Sequence, residues 1–440
     1  MTPKERSLAS RQFGFGACAV IGAAILYVVA WSPRLGAQRG GMFQGSSDDP
    51  AIAYSTAPVS NVVDDLNRRL EDGSGRLTFE GRSGYLASAL EALALPNDSQ
   101  LLLFSKASLQ GRLIGPASPR ALFFNDRVAL GWVRDGDLLE VAAHDARAGI
   151  VFYTLEQRAS ARPAFKREFR CLGCHMNGET LGVPGLLMFS ATPDGDEDRH
   201  VKNVTTDQRT PIAERFGGWF VTGHSGAATH LGNRVPALDG HPGGSLATVA
   251  GFFDPDGYRA ASSDLAALLA FSHQTHMTNL LTRASWEARA ADPALHPGSG
   301  TPTGLDPVAS LMRGIAEEVV DYMLFVDEAP LPNPVRGSSG FAERMSARGP
   351  RDRKGRSLYE LDLDRRLLKY PCSYLIYSPA FDALPPVAKG SIYQRLWHVL
   401  SGGAREPRYR ALSLADRRAV IDILKDTKTD LPAYFTEASR

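Results

Sequence analysis

Cysteine is scarce: four in 440 residues, too few and too scattered for the dense framework with which small exported domains staple themselves. An excess of charge of either sign is also missing. The 49 Lys and Arg stand against 48 Asp and Glu, which excludes a nucleic-acid binder that works by bulk charge. Polar low-complexity composition is absent too, since 43% of residues are hydrophobic and 22% charged; a disordered tail protein is excluded and a buried core is expected. No internal repeat is visible. With so few cysteines, each is to be explained by its place.

Near the start, Lys4, Arg6 and Arg11 precede an uncharged run of 19 residues from Phe13 to Trp31. A helix of that length spans about 28 Å, close to the ~30 Å hydrocarbon core of a bilayer. Basic residues followed by an apolar run read as an export signal, with everything after Trp31 translocated. Residues 1–40 are therefore expected to be a signal peptide or a membrane anchor. Leu35-Gly36-Ala37 is an imperfect cleavage site, with Leu where a small residue is preferred. Cys18 falls inside the apolar run and reads as a small hydrophobe.

Residues 41–50 are rich in Gly and Ser and read as a linker. Residues 51–162 read as an α+β domain. Val62, Leu66 and Leu70 recur at helical spacing, and Tyr85 to Leu95 is a second helical stretch. Short apolar runs then follow at 101–104, 121–124, 128–133, 138–143 and 150–155, separated by turn signals such as Asn125-Asp126 and Asp135-Gly136-Asp137. This pattern predicts an antiparallel β meander. Residues 163–335 are expected to form a mainly helical cofactor-binding region, with helices over 262–291 and 307–326. Residues 336–440 are expected to be a helical C-terminal region, Ser413 capping a helix over 413–425.

Phe169-Arg170-Cys171-Leu172-Gly173-Cys174-His175 contains C-x-x-C-H, the attachment motif of a c-type haem. At this composition, roughly 0.0008 occurrences are expected by chance. The spacing has a mechanical reason: two thiols one helical turn apart can each close a thioether with a haem vinyl group, and the next residue turns its imidazole to the iron. His175 is the expected proximal ligand. The Pro184 carbonyl, a short loop later, is a candidate acceptor for its other ring nitrogen, with plain turn-making as the alternative. A structural zinc site competes, but it usually wants a second tightly spaced pair, and no second Cys pair exists. A thioredoxin-type dithiol also competes, yet gives no reason for His175 and lacks a βαβ context.

The distal ligand has several candidates. His230 lies in a Gly-rich stretch with His224, while His273, His276 and Met277 share one helical face; Met188 is the nearest downstream Met that could serve. His or Met in both axial places favours electron transfer, and an open site with Gln274, His276 or Arg283 nearby favours peroxide or small-ligand chemistry. Cys372, among Tyr370, Tyr374 and Tyr377, reads as a buried structural thiol. From Arg344 to Lys369, nine basic residues face four acids, a patch that would suit an acidic redox partner or be a solvated loop.

The chain resembles a group of exported bacterial cytochrome c-like proteins with one haem motif. The resemblance rests on Cys171 to His175 followed by Thr180-Leu-Gly-Val-Pro-Gly185, on the stretches Arg215 to Asn233 and His273 to Ala284, and on Tyr370 to Pro385. It implies an exported protein with one covalent haem c and no particular substrate, and it favours His230 over His224 as a ligand. The expected function is a periplasmic monohaem cytochrome for single-electron transfer. It would work with redox partner proteins, without nucleic acid, and at the inner membrane if the N-terminal helix is kept. A peroxidase-like haem enzyme and a haem-based sensor are the alternatives.

Overall fold

The computed structural model describes residues 41–193, 200–235, 244–295 and 306–437. The expected export helix, its cleavage positions and Cys18 lie outside the described residues. Among the described residues no helix is long and apolar enough to cross a membrane.

Helix α1 (Val62–Glu71) starts at Asn61, whose side chain accepts from the Val63 and Asp64 N–H groups, and α2 (Leu86–Ala92) follows. Six strands come next: β1 (Leu101–Leu103), β2 (Arg120–Phe124), β3 (Val128–Trp132), β4 (Leu138–Asp145), β5 (Gly149–Glu156) and β6 (Lys166–Arg167). Each runs antiparallel beside the one before, so the sheet is a meander. The turns have local causes. Asn125 Oδ1 accepts from the N–H groups of Arg127 and Val128 between β2 and β3, and Asp145 Oδ1 does the same for Arg147 and Ala148 between β4 and β5. Strand β6 has only two residues and carries no legible alternation.

Both faces of the sheet are covered, which is why its strands read as nearly continuous apolar runs. One face, with Val141, Ala143, Val151, Tyr153 and Leu155, packs with α1 and α2 into one core. The opposite face is divided. Leu101, Leu103, Phe124 and Ala129 join the core built by the later helices, whereas Ala142, Ile150 and Phe152 form a small cluster with Cys171, Leu172 and Leu186. The C-x-x-C-H motif thus sits on the β4–β5 end of the sheet.

The rest begins with α3 (Leu172–His175), a single turn, and a two-stranded ribbon of β7 (Phe189–Pro193) and β8 (His200–Thr205). Helices α4 (Leu265–Ala290), α5 (Asp306–Met323), α6 (Phe341–Ala347), α7 (Pro379–Asp382), α8 (Pro386–Leu400), α9 (Leu414–Thr427) and α10 (Tyr434–Glu437) follow. The architecture is mixed α+β: an antiparallel sheet followed by helices. The segment expected to be mainly helical is so only from Leu265 on. Before that, among the described residues, it holds β6, α3, the ribbon and short 3₁₀ turns, because its Gly and Pro residues break helical periodicity. Residues 41–50 also differ from a free linker. Phe43 is buried, donates its N–H to Leu181 O at 2.9 Å and packs edge-on to Trp286; one aromatic side chain in a Gly/Ser-rich stretch suffices to dock it.

Helix α4 is the centre of the helical half. Of its 26 residues, 23 are buried, polar ones included. Its N-cap, Asp264, is fully buried and accepts from Ala267 N–H at 3.0 Å, from Ser338 and Ser339 N–H at 2.6 and 2.7 Å, and from Ser339 Oγ at 2.9 Å. One carboxylate therefore starts α4 and ties the chain before α6 to it. Asp264→Ala leaves these donors unpaired and is expected to lower stability by about 3 kcal/mol, read as a lowered midpoint in urea unfolding.

Candidate functional site

The motif is assembled from a 3₁₀ turn and one α-turn. Glu168 accepts from Arg170 N–H and caps the 3₁₀ turn Phe169–Cys171, which runs directly into α3. Cys171 is half-buried against the β4–β5 face, Cys174 is exposed, and both thiols are free. Burial, with the Glu140 and Glu168 carboxylates adding to it, pushes the Cys171 thiol up to about 11. A thiol that stays protonated at neutral pH is the opposite of the activated thiolate of a dithiol oxidoreductase.

The loop after the motif folds back on it. Asn177 Oδ1 accepts from Glu179 N–H while Asn177 N–H donates to Thr180 Oγ1, a reciprocal cap, and Asn177 Nδ2 donates to Cys174 O at 3.0 Å. Gly182 has φ +73°, and a Cβ there would come within 2.6 Å of Phe43 O; glycine is required on both counts. The loop returns Gly185 to the imidazole: His175 Nδ1 donates to Gly185 O at 2.9 Å, and Gly185 N–H donates to His175 O at 2.9 Å. The acceptor is thus one residue beyond Pro184, whose own carbonyl instead accepts from Ile150 N–H.

Because a carbonyl can only accept, Nδ1 carries the proton and Nε2 carries the free lone pair. Burial lowers the pKa of His175, so the ring is neutral at pH 7 and fit to ligate a metal. Phe152 packs against it with ring centroids 4.9 Å apart. Two thiols one turn apart and an imidazole presented through Nε2 form the donor set that a covalently held haem requires. Among the described residues no group of three or more His, Cys, Asp or Glu side chains is arranged to hold a metal ion.

The expected distal ligands are not brought together with this site. His230 is fully buried, accepts from Gly232 N–H through Nδ1 at 3.1 Å and bonds Ser245 Oγ through Nε2 at 3.1 Å. His273 is fully buried as well, its Nδ1 on Gln208 Oε1 and its Nε2 on Ser373 Oγ, with Tyr322 and Phe325 stacked on the ring. With both nitrogens engaged, these two rings serve packing. Met188 and Met277 are buried in the helical core. His276 Nε2 meets Arg209, itself paired with Asp207. Gln274 is held by Asn125 O and the Tyr374 hydroxyl, and Arg283 is held by Glu318. His224 is exposed, and its backbone pairs with Arg336.

Sequence reading missed Asn279, one turn beyond His276 on α4. Its Nδ2 donates to Leu186 O at 2.8 Å and its Oδ1 accepts from Leu186 N–H at 2.9 Å. A Cβ on Gly185 would lie 2.3 Å from that Oδ1, so the glycine after Pro184 is what lets α4 approach the loop. Cys372 is fully buried, and burial pushes its thiol up to about 12. The basic run is neutralised. Each of Arg344, Arg348, Arg351, Arg353, Lys354, Arg356, Arg365, Arg366 and Lys369 pairs with a carboxylate, several of them distant in sequence: Asp98, Asp126, Asp416, Asp422 and Asp426.

Gly185→Ala forces Asn279 away from the loop and is expected to cost about 1–3 kcal/mol of stability in denaturant unfolding. A second expectation concerns pH. Burial pushes the pKa of His276 from the usual 6.5 down to about 4. Between those values the unfolded chain binds a proton that the folded chain refuses. The contribution of His276 is therefore intact above pH 6.5 and is lost as pH falls toward 4, by about 1.4 kcal/mol per pH unit. Unfolding of His276→Gln between pH 7 and 4.5 is expected to show a shallower acid loss than wild type; equal slopes would count against it.

No protein-family model, no curated protein and no solved structure matches this chain.

Proposed function

We propose that this chain is an exported monohaem c-type cytochrome that passes single electrons. The reading places it on the periplasmic side of the bacterial inner membrane, with redox proteins as partners and no nucleic acid. The observation that carries it is the His175 geometry: an imidazole directly after two thiols on one turn, its Nδ1 proton given to Gly185 O and its Nε2 left to ligate. When bound, haem supplies the one-electron iron couple. Cys171 and Cys174 would hold it through two thioethers and His175 would ligate its iron through Nε2. Exposure of Gly173 and Cys174 leaves the attachment edge open to a docking protein.

The alternative is a haem protein with an open sixth position, either a peroxidase-like enzyme or a sensor. The engagement of both ring nitrogens in His230 and in His273, and the core positions of Met188 and Met277, favour keeping it. Expression with a haem-attachment system tests both. Wild type is expected to stain for haem on a denaturing gel, and Cys171→Ala/Cys174→Ala is expected to lose the stain; undiminished stain refutes covalent attachment. A low-spin ferrous spectrum that ignores CO supports electron transfer, whereas a high-spin form that binds CO moves the assignment to the open-site class.

A further inference from the structure

The peptide unit between Gly185 and Leu186 links α4 to the imidazole. Its N–H donates to Asn279 Oδ1 at 2.9 Å, and its C=O accepts from His175 Nδ1 at 2.9 Å. An amide whose N–H is hydrogen-bonded shifts electron density onto its carbonyl oxygen, which then accepts more strongly. The two bonds therefore reinforce each other through one planar group.

The side chain that starts this relay is itself fixed. Asn279 is 1% exposed, and its Nδ2 is committed to Leu186 O at 2.8 Å, so the amide has one orientation with Oδ1 toward the Leu186 N–H. The loop has little freedom to move away. Gly185 N–H holds His175 O at 2.9 Å, and Leu186 packs with Cys171 and Leu172 over the sheet. The neighbours of Asn279 on α4, Thr278 and Leu280, are buried as well. Position and polarisation both reach His175 from a helix more than ninety residues away in sequence.

We infer that Asn279 is a positioning residue for His175: it holds the Gly185 carbonyl on Nδ1–H and, through the shared peptide, makes the imidazole a more basic axial ligand. This rests on the reading of His175 as an iron ligand. A more basic axial imidazole favours the ferric state and lowers the reduction potential. A residue that merely filled space would leave the potential where it was.

The test is spectroelectrochemistry of the full-length haem-loaded protein, with covalent haem measured as the pyridine haemochrome. Asn279→Ala is expected to keep covalent haem and to raise the potential. Asn279→Asp keeps an acceptor for Leu186 N–H and adds negative charge, so its potential is expected below that of wild type. An unchanged potential in Asn279→Ala overturns the inference. If the alanine variant does not fold, the nearly isosteric Asn279→Asp decides, and an unchanged or raised potential there overturns it. Absence of covalent haem from wild type is seen before any variant is compared; it refutes the cofactor reading and the relay with it.

Discussion

A 26-residue helix that is buried on 23 positions has no solvent on which to spend its polar side chains. Most of those side chains find a partner in the protein, Ser272 Oγ being an exception, because an unpaired buried polar group costs about 1–3 kcal/mol. The partners of α4 are what organise the molecule. His273 reaches Gln208 and Ser373, Gln274 reaches the β2–β3 turn at Asn125, Asn279 reaches the loop after the motif, Arg283 reaches α5 at Glu318, and Trp286 reaches Arg147 O at the β4–β5 turn. Sheet, motif loop and C-terminal helices are thereby keyed to one rod. Close packing reinforces this: a Cβ on Gly149 would fall 2.3 Å from the Thr282 methyl, so the turn into β5 sits directly on α4.

The motif occupies the opposite physical situation. It lies at the β4–β5 end of the sheet, over a small cluster of Ala142, Ile150 and Phe152. Phe169 beside it is 46% exposed. A cofactor held here by dispersion alone would have few protein atoms to touch, and the two thioether bonds of the proposed haem would remove the need for a deep enclosure. The surroundings instead set orientation: the reciprocal cap at Asn177, the positive-φ glycine at 182 and the Gly185 carbonyl fix where the imidazole points. Rigidity at the imidazole comes from a loop that is itself braced by the buried helix.

Charge follows the same division between local text and folded partner. The run from Arg344 to Lys369 is strongly basic when read along the chain, yet every one of its nine cations meets a carboxylate in the fold. Most of these pairs are partly exposed and individually contribute about 0–1 kcal/mol. Their collective effect is to stitch the segment to α9 and to the turns at Asp98 and Asp126.

Local features were legible in the sequence because their causes are local. The meander shows itself in short apolar runs and Asx turns, α1 and α9 in their caps, and Cys171, Cys174 and His175 in a spacing that composition does not produce by chance. Cys372 was legible as a buried thiol from its aromatic neighbours. The ring nitrogens of His230 and His273 were not, since whether an imidazole is a ligand or a core residue depends on what lies across from it. Nor was the Gly185 carbonyl distinguishable from that of Pro184, because one residue of loop geometry decides which oxygen faces Nδ1. The sequence by itself determined the C-x-x-C-H spacing and the order of the meander strands and the long helices. Only the tertiary structure decided which distant groups meet, and so placed Asn279 behind the imidazole, because hydrogen bonds between residues nearly a hundred positions apart follow from packing and leave no periodicity to read.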